Sequence, residues 1–222
     1  MNKMQVLMIC LISVTALLAG EARADDFAPP TEWSRGDPLS TATEWEFLTD
    51  ANSHTIADGN TVATVEGEFG PATVSIYGSP GNEPVWSIGD GDGKWTASIN
   101  APMGMNFEIG NWEDLEPVKY LRIQVTYGGS PPSISSISAL HQTGAPVVIT
   151  PTGTTSFSTT HILFEYEMNP NPFFEVFTLQ TPAGSSIDQV VVDTISTPEP
   201  ATLTVLGLGA LAVLKRRRRQ TI

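Results

Sequence analysis

The sequence predicts a single all-β domain, a two-sheet sandwich of the jelly-roll type, between residues 25 and 195. Three observations predict it. Short runs rich in β-branched and aromatic residues are separated by Gly, Pro, Asn and Asp clusters at short intervals. Several of these runs alternate apolar and polar residues with a period of two. No segment between the two ends shows sustained helical periodicity, and Glu113 to Lys119, the one candidate helical turn, is interrupted by Pro117.

The turn clusters come in order. They are Asp58-Gly59-Asn60, Gly78-Ser79-Pro80-Gly81-Asn82, Asp90-Gly91-Asp92-Gly93, Gly128-Gly129-Ser130-Pro131-Pro132, Pro151-Thr152-Gly153 and Asn169-Pro170-Asn171-Pro172. Between them, Ala72, Val74 and Ile76 share one strand face. Leu121, Ile123, Val125 and Tyr127 share another, with Arg122, Gln124 and Thr126 opposite. Ile162, Phe164, Tyr166 and Met168 oppose Leu163, Glu165 and Glu167. The runs 173–179 and 187–192 read as closing strands. Residues 140–157 are rich in Thr, Pro and Gly and read as a loop with one short strand at Val147-Val148-Ile149. There is no internal repeat.

Both ends read as processing segments. Residues 1–24 have a basic start, an apolar run of about 14 residues and an Ala22-Arg23-Ala24 site, the layout of a secretory signal peptide. The run is short for a permanent span. The only cysteine, Cys10, lies inside it, so the body is expected to use neither disulfides nor thiolate chemistry. At the other end, residues 196–222 carry Pro198-Glu199-Pro200, an apolar stretch 201–214, and the cluster Lys215-Arg216-Arg217-Arg218-Arg219. As a helix the stretch spans roughly 21 Å against a hydrocarbon core of about 30 Å, a marginal anchor. The basic cluster holds it cytoplasm-side, with the body on the far side.

The body is strongly acidic. Of the chain's 24 Asp and Glu, 22 fall between Asp25 and Thr197, against four cations, Arg35, Lys94, Lys119 and Arg122, so the segment sits near −18 (four minus 22). Such a body repels phosphate backbones and is expected to bind no nucleic acid.

Pro198, Glu199 and Pro200, the apolar stretch and the arginine cluster resemble the bacterial PEP-CTERM sorting signal. The resemblance implies recognition by an exosortase-type membrane transpeptidase, transient attachment through the C-terminal helix, and delivery to the cell surface or an extracellular polysaccharide matrix such as that of a biofilm. Two further stretches are similar to known proteins. Residues 35–47 and 187–194 resemble uncharacterised exported proteins with this same tail. The closing Ile187-Asp188-Gln189-Val190 is also similar to jelly-roll carbohydrate-binding modules.

Candidate sites in the body are few. The tryptophans at 33, 45, 86, 95 and 112 offer faces on which sugar rings stack, or else anchor the core. Trp86 and Trp95 straddle the 90–93 turn and are the first candidates for a ligand platform across a hairpin. Asp90 and Asp92 place two carboxylates one residue apart. They begin a calcium site, but calcium takes about six to eight oxygens, and the plain alternative is a glycine-rich turn. No other cofactor is expected. Glu165 and Glu167 are expected to share one strand face, with Glu175 on a following strand, either a solvated face or acids for glycoside hydrolysis. His54, His141 and His161 lack metal-ligand spacing. Arg35-Gly36-Asp37 matches an adhesion tripeptide and also reads as a turn before Pro38. No nucleophile elbow or phosphate loop is present. These features lead to the expectation of a non-enzymatic exported protein that binds carbohydrate or builds the extracellular polymer. A secreted glycan-active hydrolase using the strand carboxylates is the alternative.

Overall fold

A computed structural model describes residues 28–52, 61–65, 72–89, 92–112 and 116–197, with only the backbone of 61–65, 89 and 92. Residues 1–24, expected to form a signal peptide, lie outside these residues, as do the sorting motif, the apolar stretch 201–214 and the basic cluster. Twelve strands are placed: β1 (Ser40–Trp45), β2 (Thr61–Val65), β3 (Thr73–Tyr77), β4 (Val85–Gly89), β5 (Asp92–Thr96), β6 (Met103–Gly110), β7 (Val118–Gly128), β8 (Ser133–Leu140), β9 (Val148–Ser156), β10 (His161–Asn169), β11 (Phe174–Thr181) and β12 (Ser186–Thr197). The described residues contain no helix, and Val118 and Lys119, expected in a helical turn, instead open β7.

One sheet runs β2-β1-β12-β7-β10-β9, with the β4–β5 hairpin joined to β12 through β5. The other runs β3-β6-β11-β8. Every pairing is antiparallel. From β5 onward the order is that of a jelly roll: β5-β12-β7-β10 in one sheet and β6-β11-β8 in the other. The predicted fold class therefore holds.

The alternating runs face as the period of two requires. Ala72, Val74 and Ile76 are buried, as are Leu121, Ile123, Val125 and Tyr127 on β7. The β7 set faces Met103, Met105, Phe107, Phe177 and Leu179 of the other sheet, to which Val74 and Ile76 also belong, and all share one buried cluster. At the centre Trp45 of β1 meets Phe107 of β6 edge-on, with ring centroids 5.0 Å apart, and Phe107 stacks on its cross-strand partner Phe177 at 4.6 Å.

Two expectations are corrected. Residues 148–156 form a nine-residue strand, not a loop with one short strand. The predicted Pro151-Thr152-Gly153 turn is absorbed into it as a register shift opposite Glu165 and Tyr166. β9 is the outer edge of its sheet, so Pro151 deprives no inner ladder of a donor, and an exposed strand needs no apolar face to announce it.

Two non-glycine residues in the left-handed region bracket β1, Leu39 (φ 65°) and Phe47 (φ 51°). Each is held by bonds from elsewhere. The Leu39 carbonyl accepts from Ser196 N (3.3 Å), and the Phe47 carbonyl accepts from Trp86 Nε1 (2.7 Å). A Cβ at Gly93 would lie 1.8 Å from that Phe47 carbonyl oxygen and 2.8 Å from Trp86 Nε1. Gly93→Ala is therefore expected to push the β4–β5 hairpin off the end of β1, at about 1–3 kcal/mol. The check is the urea midpoint together with a red shift of tryptophan emission as Trp86 loses its cover.

Candidate functional site

The five tryptophans divide by what their rings touch. Trp45 and Trp95 belong to the core. Trp112 donates Nε1 to the Ser40 carbonyl (2.8 Å), and Trp86 donates to Phe47, so both anchor the ends of β1. Trp86 and Trp95 are direct partners across the β4–β5 hairpin, as expected. They do not form an exposed platform, because Trp95 is 7% exposed and Trp86 packs against the same core. A hairpin fixes which residues pair but not which face is covered, and the second sheet covers this one. Trp33 lines a cleft.

That cleft has a volume of about 220 Å³ and lies where segment 31–33 crosses β7, β10 and β9. Thr31, Glu32, Trp33, Tyr120, Arg122, Thr152 and Glu165 line it, with Leu121 and Tyr166. Arg122 and Glu165 alternate with core residues on their strands, so they face away from the core, and they are direct cross-strand partners. Arg122 Nε donates to Glu165 Oε1 at 3.1 Å, and the guanidinium carbon lies 5.9 Å from the centre of the Trp33 ring. Glu165 occupies one edge of the guanidinium, and Arg122 Nη1 and Trp33 Nε1 have no hydrogen-bond partner among the described residues. Tyr120 pairs with Glu167 across the strands. Burial first, then the charge and hydrogen bond of Glu167 and the charge of Glu32, raise the Tyr120 phenol above its ordinary value. Tyr120 therefore stays protonated. Burial likewise raises Tyr166.

The segment that carries Trp33 is clamped from its far end. Arg35 Nε and Nη2 bond the two oxygens of Asp193 on β12 at 2.5 and 2.8 Å. Asp37 Oδ2 accepts from Ser34 N (2.8 Å), and Gly36 takes φ 94°. The Arg-Gly-Asp sequence thus forms a turn with its arginine engaged inside the protein.

The remaining candidates fall apart in space. Glu165 and Glu167 lie on the cleft side of β10. Glu175, on β11 of the other sheet, points into the core and is 0% exposed. There Lys119 of β7 meets it at 3.2 Å and Asn111 donates to it. The three acids therefore do not form one constellation. Burial raises the Glu175 carboxyl above its ordinary value, against the opposing pull of Lys119 and Asn111. The sequence signal for this pair was present but unused: Lys119 shares strand parity with Leu121 and Ile123, and Glu175 with Phe177 and Leu179. His141 Nδ1 bonds Thr143 in a turn, and His161 Nδ1 bonds Ser158 and Thr160. His54 and Asp90 lie outside the described residues, and only the backbone of Asp92 is placed, in β5. No group of three or more metal-ligating side chains occurs among the described residues.

Fold and site together define an antiparallel jelly roll with a shallow cleft that mixes an aromatic ring with paired charges. Residues 196–219 match the PEP-CTERM protein-sorting motif. The motif marks an exported protein, anchored transiently at the membrane and processed by an exosortase, a membrane enzyme. No curated protein matches this chain. A solved structure described as "CBM4 structure and function" is 10% identical with a TM-score of 0.36, covering 56% of this chain and 87% of that one. The enzymatically active domain of bacteriophage CBA120 tailspike protein 4 is 14% identical with a TM-score of 0.29, covering 68% of this chain and 20% of that one. Neither likeness carries an argument about the site.

Proposed function

We propose that this is a non-enzymatic protein of the cell surface or the extracellular polymer matrix, and that its body binds a polysaccharide at the Trp33 cleft. The observation that carries the reading is the cleft itself. Among the described residues it brings a tryptophan withdrawn from the core beside a guanidinium, a carboxylate and two threonines. An aromatic face stacks on the apolar face of a sugar ring, while amide, hydroxyl and charged groups bond its hydroxyls. At about 220 Å³ the cleft is smaller than the roughly 300–1,000 Å³ of drug-sized ligand sites, the scale of a subsite on a long chain.

The test uses the full-length chain, purified in mild detergent, against immobilised hydroxyethyl cellulose, xylan and alginate, with calcium and with chelator. Saturable binding is expected. Trp33→Ala weakens it at least tenfold, about 1.4 kcal/mol, and leaves the melting temperature within about 2 °C, because Trp33 is not in the core. Chelator sensitivity would show that a cation takes part in binding, with Asp90 and Asp92 as its candidate ligands. A folded protein that binds none of these polymers leaves a purely structural matrix role.

A further inference from the structure

A second feature lies on the opposite side of the sandwich, on the outward face of the β3-β6-β11-β8 sheet. Val74 and Ile76 of β3 point inward, so Tyr77 points outward, and it remains 46% exposed. Its direct cross-strand partner is Gly104. A Cβ built on Gly104 would lie 2.3 Å from Tyr77 Cζ and 2.5 Å from its hydroxyl oxygen. The tyrosine ring therefore lies down across the glycine, with its other side open to solvent. Covering a glycine is the plain role of such a ring, and it does not explain what lies beside it.

The register places Ser75, Asn106, Thr178 and Ser136 side by side across all four strands, one row from Tyr77. Ser136 Oγ bonds Thr178 Oγ1 at 3.0 Å, and Thr178 Oγ1 donates to Asn106 Oδ1 at 2.7 Å. The row is thus a pre-ordered chain of uncharged groups. Its end, the Asn106 amide nitrogen, makes no bond within the described residues. In Tyr77's own row, Gln180 donates Nε2 to the Met103 carbonyl at 3.3 Å, which turns its amide oxygen away from that bond. An aromatic ring lying on a sheet, bordered by fixed amides and hydroxyls, matches the two chemistries of a sugar ring, an apolar face and a hydroxyl rim.

We propose that this face is a second glycan-binding surface, with Tyr77 as the stacking platform and Asn106, Thr178 and Gln180 as the polar contacts, and that it takes a neutral polysaccharide. The choice of a neutral polymer follows from charge. The groups that form the face carry none, the nearest ionisable neighbour in the sheet is Glu108, and the whole body is near −18 (four minus 22). An acidic polymer is repelled. A protein partner would want an apolar anchor cluster, and Tyr77 stands alone among amides and hydroxyls. The inference rests on the reading that the body binds polysaccharide, and it adds valency. With the Trp33 cleft on one sheet and Tyr77 on the other, one molecule bridges two polymer chains or gains avidity on one.

The test is a set of full-length variants read in two assays, binding to immobilised hydroxyethyl cellulose and turbidity when the protein is mixed with the soluble polymer. Wild type is expected to bind and to cross-link. Tyr77→Ala and Trp33→Ala each keep residual binding, at least tenfold weaker, and lose the turbidity, while the double variant loses both. Tyr77→Phe keeps the ring and behaves as wild type. Gly104→Ala lifts the ring without removing it and behaves as Tyr77→Ala. The inference is overturned if Tyr77→Ala matches wild type in both assays, if Trp33→Ala alone abolishes binding, or if Tyr77→Ala loses alginate binding in preference to hydroxyethyl cellulose binding. Absence of binding by folded wild type to every polymer overturns the polysaccharide reading itself, and this inference with it.

Discussion

Lys119→Met lowers the unfolding free energy by about 3–5 kcal/mol at pH 8, the usual cost of leaving one member of a buried ion pair alone. The pair spans the two sheets. Lys119 on β7 is 1% exposed and Glu175 on β11 is 0% exposed, and the ammonium lies 3.2 Å from the carboxylate. Methionine matches the length of lysine, so the loss reads the charge. Its pH dependence has a definite sign. Burial raises the folded-state carboxyl above the ordinary 4.5, so the stability that protonated Glu175 confers is fully present below 4.5 and is lost as pH rises through the folded value. Lys119 opposes that rise. Without it the folded value climbs further, so the variant's deficit is largest at pH 8 and narrows as pH falls toward 4.5. Urea unfolding at pH 8 and pH 5 measures this. A deficit equal at both pH values would assign the loss to packing and refute the electrostatic account. Lys119→Met combined with Glu175→Leu should recover most of the loss, since the pair as a whole contributes far less than either half costs when removed.

Phe107→Ala should be as severe, about 3–5 kcal/mol. Phe107 is fully buried and belongs to two aromatic contacts at once, the edge of Trp45 from the facing sheet and the face of Phe177 on the neighbouring strand. Alanine opens a cavity where the two sheets meet, and neither neighbour can fill it without leaving its strand. For a domain of this size the melting temperature should fall by about 10 °C. Phe107→Leu keeps most of the volume and should cost under half as much. A loss below about 1 kcal/mol for alanine would mean that the ring does not sit between the sheets.

Much of the fold was legible because the period of two is a local property. The alternating runs of β3, β7 and β10 needed only their own residues to declare a buried face. β9 was not legible, because a solvent-exposed edge strand carries no such pattern and its Pro151 and Gly153 imitate a turn. The cleft was legible only in its parts. Arg122, Glu165 and Trp33 are far apart in the sequence, and their meeting depends on the β7–β10 register and on the Arg35–Asp193 clamp that lays segment 31–33 over the strands. The Tyr77 face depends in the same way on a glycine standing opposite in register.

The sequence by itself determined the sorting motif at the C-terminal end, the acidic charge of the body and the all-β class, since each is written in contiguous residues and read by local chemistry. The tertiary structure alone decided which tryptophans are core, that Trp33 borders a cleft, that Glu175 is a buried partner of Lys119, and which side chains share the outer faces. Burial and cross-strand register are relations between distant segments, and a period of two says that a residue faces one side without saying what lies there.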